Sequence, residues 1–252
     1  MERLNKALAR AGVASRRAVD ELIRAGKVSV NGQVVTQLGQ KVDVRLDRVL
    51  VDGKRVALIS EEAQVKVYFL LNKPPKVLTT AKDDRGRSTV MDYVAGAAEG
   101  RIYPVGRLDY DAEGALLLTN DGELAAKLMH PRTHVAKVYQ VKVKGEPEER
   151  QLDLLRRGIR LEDGPTRACK IDVVKKARVN TWVEVTLTEG KNRQLKRMFW
   201  RIRHPVLKIL RVKYGPVDLG DLGTGEFREL KRAEVEALRK AVDVAGTARP
   251  HA

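Results

Sequence analysis

The chain has 252 residues, 43% of them hydrophobic, which is enough to bury the core of one large domain or of two modest ones. Its 49 lysines and arginines outnumber its 33 aspartates and glutamates, and the net charge of +16 favours a polyanion, above all nucleic acid, as the partner. No segment has the roughly 18 consecutive apolar residues of a membrane-spanning helix, so no membrane partner is expected.

Cysteine and histidine usage argues against disulfides and metal sites. Cys169 is the only cysteine, so no intramolecular disulfide can form, and a reducing compartment fits best. The four histidines are scattered, and no glycine-rich loop of P-loop or Rossmann spacing is present. Since the N-terminus also lacks the apolar core of a secretory signal, we expect a cytoplasmic protein that uses no metal or nucleotide cofactor.

Two short helices and a hairpin are predicted at the N-terminus. Apolar residues recur at helical spacing over residues 4–11, and Gly12 stops this helix. Ser15 is a good N-cap for the second helix. Asn31-Gly32 lies between alternating valines, which is the strongest short-range signal for a β-hairpin.

The same region is strongly basic. Residues 1–60 contain twelve lysines and arginines but only six acidic residues. An ordinary solvated helix face accounts for any one of these cations, whereas phosphate contact accounts better for the set. The predicted RNA-binding residues here are Arg3, Lys6, Arg10, Arg16, Arg17 and Lys27.

The stretch "RLNKALARAGVASRRAVDELIRAGKVSVNGQVV" resembles the small RNA-binding domain first named after ribosomal protein S-four. This resemblance implies docking to structured RNA through the two helices and the hairpin. We therefore predict an S-four-like domain over residues 1–60. A linker is expected at 61–64, where the charge changes sign and the periodicity lapses.

Residues 65–240 predict a larger α+β domain, built on a mainly antiparallel sheet with flanking helices. Strands and short helices follow one another here without a regular βαβ rhythm. The predicted strands include "YFLL", "ALLLTND", "KVYQVKVKG", "ACKIDVV", "TWVEVTLTEG" and "PVLKILRVKY". The predicted helices are "GELAAKLMH", residues 148–156, "NRQLKRMFWRIRH" and "KRAEVEALRK". Residues 241–252 are small or polar and predict a disordered tail.

The segment from Lys191 to Lys213 contains nine basic residues and no acidic one. Apolar residues interleave with them, so one side of the segment can pack while the other meets phosphate. A solvated amphipathic helix normally mixes acids with bases, and we therefore predict RNA contact by Lys191, Arg193 and Arg197. Because aromatic residues are few, this contact is expected to depend on charge and shape more than on stacking.

Three carboxylates alternate in "GRLDYDAEG": Asp109, Asp111 and Glu113. A turn or cap is the commonest interpretation of Asp109 taken alone. Hydrolysis by a carboxylate pair needs both groups to face one bond, which the turn at Glu113-Gly114 disfavours. A single nucleophilic or electrostatic carboxylate beside a cation fits better. Asp111 and Glu113 are then solvated turn residues.

"YPVGRLDYDAEGALLLTNDGELAAKLMHP" resembles the central motif of the RNA pseudouridine synthases, in the branch of the RsuA and RluB enzymes. "YFLLNKPPKVLTT", "KVYQV" and "LTEGKNRQLKRM" resemble the first, tyrosine and last motifs of that branch. "GIRLEDGPTRACKI" is most similar to the RluB type, which modifies large-subunit ribosomal RNA. The resemblance implies that the base of a uridine is detached from ribose at nitrogen 1, turned, and rejoined through carbon 5.

The resemblance also implies roles for individual residues. Asp109 matches the catalytic aspartate, which acts on the ribose as a nucleophile at carbon 1′ or as a base at carbon 2′. Tyr139 matches the tyrosine that stacks on the target base, and Leu195 an apolar residue that touches it. Lys196 matches the basic partner of the aspartate, while Arg107 helps to hold the flipped-out nucleotide.

Three positions depart from the family pattern. Ala112 stands where Thr or Ser is usual, and Lys76 where glycine is usual, so the conformation of the first motif's loop is in question. Lys196 replaces an arginine and offers a point charge instead of a two-pronged contact.

The expected function is isomerisation of a uridine in ribosomal RNA, with large-subunit RNA as the favoured substrate. The protein is expected to act as a monomer, on the RNA or on an assembling ribosomal subunit. Small-subunit RNA is an alternative substrate. A non-catalytic RNA-binding assembly factor is a rival from another class, and a glycosidase that releases free uracil is a third. The presence of Asp109, Tyr139 and a basic partner favours the isomerase.

Overall fold

The computed structural model describes residues 1–98, 100–177 and 179–247, and side chains at 177 and 244–247 are not described. The chain divides into two compact units. The first comprises Met1–Val67 with Gly96–Ile102, and the second comprises Tyr68–Ala95 with the residues from Tyr103 onward. The sequence places 96–102 in the second domain, because nothing in the residue pattern of this segment sets it apart. The linker at 61–64 stays a prediction.

The first unit contains two helices and two small sheets. Its elements are β1 (Glu2–Arg3), α1 (Leu4–Arg10), α2 (Arg16–Arg24), β2 (Val28–Val30), β3 (Gln33–Val35), β4 (Lys41–Val42), β5 (Val49–Val51) and β6 (Lys54–Val56). Strands pair in the order β3-β2-β5-β6, and β1 pairs with β4. The apolar faces of both helices pack with the valines of β2 and β5 in one buried cluster.

Local signals in this unit are confirmed. The Ser15 hydroxyl accepts a hydrogen bond from the Ala18 amide at 3.1 Å, as an N-cap should. Asn31 and Gly32 both have positive φ, 53° and 83°, which is the conformation that joins β2 and β3 in a tight hairpin.

The second unit is built around one extended sheet. Its elements are β7 (Tyr68–Lys73), β8 (Tyr103–Pro104), β9 (Glu113–Thr119), α3 (Gly122–Met129), β10 (Lys137–Lys144), α4 (Glu149–Arg157), β11 (Arg160–Leu161), β12 (Gly164–Pro165), β13 (Lys170–Ala177), β14 (Asn180–Leu187), α5 (Gln194–Arg201), β15 (Val206–Tyr214), β16 (Val217–Asp218), β17 (Phe227–Glu229) and α6 (Arg232–Thr247). The strand order is β13-β14-β10-β15-β9-β7-β17, with β16 beside β15 and β8 beside β9. Neighbouring strands run antiparallel except β9 and β15, so the predicted α+β class with a mainly antiparallel sheet is confirmed.

The last helix is longer than predicted. Helix α6 continues to Thr247, past the expected start of a disordered tail at 241. Val242, one of the small residues that suggested a tail, is buried in the core beside Leu238. Packing of this apolar face therefore extends the helix, and residues 248–252 of the predicted tail lie outside the described residues.

Strands β9 and β15 approach each other most closely at Gly114, which pairs with Arg211. Gly114 has a φ of +105°, and a Cβ added to it would lie 2.2 Å from the carbonyl oxygen of Arg211. No side chain fits at that distance, so a glycine is required for these two strands to pair.

We expect Gly114→Ala to lower the free energy of unfolding by about 3 kcal/mol or more, because backbone strain adds to a steric clash. Chemical denaturation of the full chain measures this loss. Gly86→Ala is the matched control, since Gly86 also has positive φ but has nothing within 4 Å of the added Cβ; its cost should be near 1 kcal/mol. Equal losses in the two variants would contradict the role given to the close approach.

Candidate active site

Asp109 lies in the loop that joins β8 to β9, here called the aspartate loop (residues 105–112). The buried Leu108 fixes this loop, because its carbonyl accepts a hydrogen bond from the Thr79 hydroxyl at 2.8 Å. The amide of Ala112 donates to the carbonyl of Asp109 at 3.1 Å and closes a turn. These two hydrogen bonds fix the backbone at Asp109. Its side chain is 35% exposed, so the carboxylate stays accessible.

Lys73, at the end of β7, ties the first motif to the aspartate loop. Its ammonium is buried and donates to the carbonyl oxygens of Ala112 at 2.8 Å and Pro74 at 2.9 Å. Burial lowers the pKa of Lys73 to about 8, although the carboxylates of Asp111 and Glu113 oppose the shift. The lysine of "NKPP" is therefore a structural anchor of the loop that carries Asp109.

Lys76, where the sequence departs from the family pattern, has a left-handed backbone conformation. Lys76 has φ +61°, the left-handed conformation that the glycine usual at this position adopts most easily. Its amide donates to the carbonyl of Tyr110 at 2.7 Å, which gives a second link between the first motif and the aspartate loop.

A cavity of about 400 Å³ opens beside the aspartate loop, entirely within the second unit. Four of the predicted substrate-site residues line it: Arg107, Asp109, Tyr139 and Leu195. Tyr139 is buried on β10, and Leu195 is buried in the first turn of α5, whereas Arg107 is exposed. The size suits a single nucleoside.

Lys196 does not line this cavity, and it pairs more closely with Asp111 than with the predicted partner Asp109. Its ammonium lies 2.5 and 2.6 Å from the two carboxylate oxygens of Asp111 but 4.0 Å from the nearest oxygen of Asp109. Partial burial raises the pKa of Asp111, but the hydrogen bonds from Lys196 outweigh it and hold the pKa below the usual value. Asp111 is the solvated turn residue that the sequence predicts, with a side chain 62% exposed, but its ion pair with Lys196 was not predicted.

The prediction of Glu113 as a solvated turn residue is wrong. Glu113 is the first residue of β9, its side chain is largely covered, and its carboxylate pairs with the ammonium of Lys208 at 3.0 Å. The ion pairs of Asp111 and Glu113 were both missed for one reason. Each partner is a lysine about ninety residues away in the sequence, and only the pairing of β9 with β15 and the packing of α5 bring them close.

Two cations that the sequence interpretation missed also line the cavity, the buried Arg211 and the partly buried Lys137. Arg211 is 2% exposed, its Nε donates to the carbonyl of Ala115 at 2.6 Å, and its guanidinium carbon lies 6.0 Å from the ring centroid of Tyr139. Among the described residues its Nη2 has no hydrogen-bond partner. Burial and the charge of Arg211 lower the pKa of Lys137 to about 8. Strand alternation could have predicted the burial of Arg211, because Arg211 lies two positions after the buried Ile209 and therefore on the same face of β15.

The predicted RNA-binding residues at the start of α5 are partly neutralised. The guanidinium of Arg197 makes two hydrogen bonds, at 2.8 and 2.9 Å, to the carboxylate of Asp163, and the ammonium of Lys191 donates to the carbonyl of the same residue at 2.9 Å. Asp163 belongs to the turn between β11 and β12, so the acid that the basic segment lacks comes from another element. Arg193 is exposed and forms no ion pair within the described residues.

In the first unit, Arg10 is not on an exposed face, and its predicted role in RNA contact is wrong. Its side chain is 6% exposed, forms an ion pair with Glu2, and donates to the carbonyl of Ile59 at 2.6 Å. Lys6 is half-exposed and lies 2.6 Å from the carboxylate of Glu61. Arg10 therefore holds the end of α1 to neighbouring backbone, which a helical wheel of α1 alone does not reveal.

The other predicted cations of this unit are accessible. Arg3, Arg16, Arg17 and Lys27 are all exposed, and the only ion pair among them in the described residues is a 3.6 Å contact of Lys27 with Asp52. RNA contact by these four residues stays a prediction.

Within the described residues, no group of three or more histidines, cysteines, aspartates and glutamates is arranged to hold a metal ion. No helix of the described ranges combines the length and the hydropathy needed to cross a bilayer.

Comparison with known proteins confirms both resemblances. Residues 67–200 match the family described as RNA pseudouridylate synthase, and residues 2–47 match the S4 domain. The ribosomal large subunit pseudouridine synthase B of Bacillus subtilis is 49% identical over 245 residues, which cover 96% of this chain and 98% of that protein. The protein of the same name from Salmonella typhimurium is 39% identical, with 96% and 84% covered.

A solved structure extends the likeness to the fold. The crystal structure of a pseudouridylate synthase superposes with a TM-score of 0.68 at 29% identity, covering 94% of this chain and all of that one. The sequence and the fold lead to the same conclusion: this chain belongs to the RNA pseudouridylate synthase family and carries an S4 domain at its N-terminus.

Proposed function

We propose that this protein isomerises one uridine of large-subunit ribosomal RNA to pseudouridine, with Asp109 as the catalytic residue. The names of the two relatives described above support the large-subunit substrate. The observation that carries the proposal is the meeting of Asp109, Tyr139 and Leu195 around one nucleoside-sized cavity.

The reaction needs no added atoms. The bond between nitrogen 1 and carbon 1′ breaks, carbon 5 joins carbon 1′, carbon 5 loses its proton and nitrogen 1 gains one. Asp109 acts on the ribose, while the buried ring of Tyr139 stacks on the detached uracil and Leu195 closes the apolar wall. The target must leave its stack to enter the cavity, and Arg107 at the exposed rim holds its backbone.

Positive charge is concentrated where the uracil carries negative charge after the bond to ribose breaks. Arg211 and Lys137 both line the cavity, and the guanidinium of Arg211 lies beside the Tyr139 ring. Preorganised cations in a site that excludes water stabilise such an anion without reorganisation. These two residues therefore hold the detached base while it turns.

We expect Asp109→Asn to reduce the activity by about a thousandfold or more, because the amide neither attacks nor accepts a proton from the ribose. The assay measures release of tritium from carbon 5 of uridine in a large-subunit rRNA transcript. Asp84→Asn is the matched control, because Asp84 is exposed, does not line the cavity and lies outside the aspartate loop. Undiminished release by Asp109→Asn, with binding intact, rules out the catalytic assignment; no release by the wild type favours a binding factor instead.

Asp111→Asn removes the carboxylate that holds Lys196 at 4.0 Å from Asp109. We expect Lys196 to pair with Asp109 directly, which lowers kcat about tenfold because the paired carboxylate is less reactive. Asp163→Asn makes the same charge change and should leave kcat unchanged. An unchanged kcat in Asp111→Asn would contradict the positioning role of Asp111.

The first unit offers a matched pair of variants. Arg10→Ala should lower the free energy of unfolding by about 2 kcal/mol, because it leaves the carboxylate of Glu2 and the carbonyl of Ile59 without their donor.

The double variant Arg16→Ala, Arg17→Ala should leave stability unchanged but weaken RNA binding. The salt slope of binding should fall by about 1 for each phosphate that is no longer neutralised. Thermal unfolding and salt-dependent binding measure the two effects. The reverse pattern would show that the two sites have been misassigned.

A further inference from the structure

A second cavity, of about 560 Å³, lies on the outer side of α5 within the second unit. Basic residues and one indole dominate its lining: Arg160, Arg193, Lys196, Arg197, Trp200 and Arg201. This surface is here called the Trp200 groove. Its volume is that of a small-molecule or nucleotide site.

Trp200 is not needed by the core. The buried face of α5 consists of Gln194, Leu195, Met198 and Phe199, whereas Trp200 faces the other way and is 69% exposed. A single exposed apolar residue is ordinary in itself. Here, however, the exposed indole shares its cavity with four arginines, and that combination suits a nucleic acid base with its phosphates.

The charge of the groove is not balanced from within. Lys196 and Arg197 are paired with Asp111 and Asp163. Arg160, Arg193 and Arg201 are exposed, and in the described ranges of the chain none of the three forms an ion pair. Glu162 is the one acidic residue of the lining. Three unpaired guanidiniums against one carboxylate leave a positive surface around the indole.

The Trp200 groove is adjacent to the catalytic cavity. Arg193 lines both cavities, and Lys196, which lines the groove, lies 4.0 Å from Asp109. A strand whose target uridine enters the catalytic cavity can therefore contact Arg193, which also lines the groove.

We propose that the Trp200 groove binds an unpaired nucleotide that flanks the target uridine. The base stacks on the indole of Trp200, and the phosphates contact Arg160, Arg193 and Arg201. An indole offers a face to any base but only when that base is unpaired, so the groove selects single-stranded RNA with little sequence preference. This inference rests on the proposed function, because it assumes that an RNA strand enters the neighbouring cavity.

Fluorescence tests the stack directly. The chain has two tryptophans, so Trp182→Phe leaves Trp200 as the only one. Titration of this full-length variant with a single-stranded 12-nucleotide oligo(U) should quench the emission, and a 12-base-pair RNA duplex should quench it far less. Equal quenching by the two RNAs, or none by either, overturns the proposal.

Kinetics on a large-subunit rRNA transcript provide the second readout. Trp200→Ala should weaken substrate binding about tenfold, the usual effect of removing one base–aromatic stack, and the effect should fall on KM more than on kcat. Arg201→Ala should raise KM and reduce the salt slope of binding. Leu154→Ala and Lys170→Ala, an exposed apolar and an exposed basic residue outside both cavities, are the controls and should match the wild type.

The outcomes separate this inference from the proposed function. An inactive wild type contradicts the isomerase itself. An active wild type with an unchanged KM in Trp200→Ala contradicts the groove alone. If the variant is impaired only on ribosomal particles and not on naked rRNA, the indole meets a protein and the nucleotide proposal is wrong.

Discussion

The close pairing of β9 with β15 is the constraint on which the rest of the second unit depends. At Gly114 the backbone passes so near Arg211 that no side chain fits between them. This contact sets the aspartate loop, which leads into β9, beside β10, the neighbour of β15 that carries Tyr139. Asp109 and Tyr139, the proposed catalytic carboxylate and stacking ring, thus come from segments thirty residues apart, held in one geometry by the backbone.

Acids supplied by other elements determine which cations remain free to meet RNA. Asp111 forms an ion pair with Lys196, and Asp163 forms one with Arg197. The net charge of +16 is therefore not spread evenly over the surface, because some of the cations are neutralised by ion pairs within the protein. Paired cations position catalytic or structural groups, whereas exposed and unpaired ones form the surface that attracts phosphate.

Buried and partly buried cations add positive charge to the cavity beside Asp109. Lys73 anchors the aspartate loop through carbonyl oxygens, and Arg211 and Lys137 line the cavity itself. Burial lowers the pKa of Lys73 and of Lys137 to about 8, because a buried charge is unfavourable. The charged form is stabilised where it faces a carbonyl or a developing anion. The site combines an apolar wall with fixed positive charge, which suits a base that leaves and returns within one cavity.

The sequence by itself determined the family, the two-part organisation and most elements, because capping, the Asn31-Gly32 turn and alternating apolar residues act over a few positions. It also identified Asp109, Tyr139 and Leu195, which meet at one cavity. Only the tertiary structure decided the ion pairs and the burial of cations. Side-chain partners such as those of Asp111, Glu113 and Arg10 are contributed by distant elements, and no local pattern records which lysine or carbonyl the fold will bring within 3 Å.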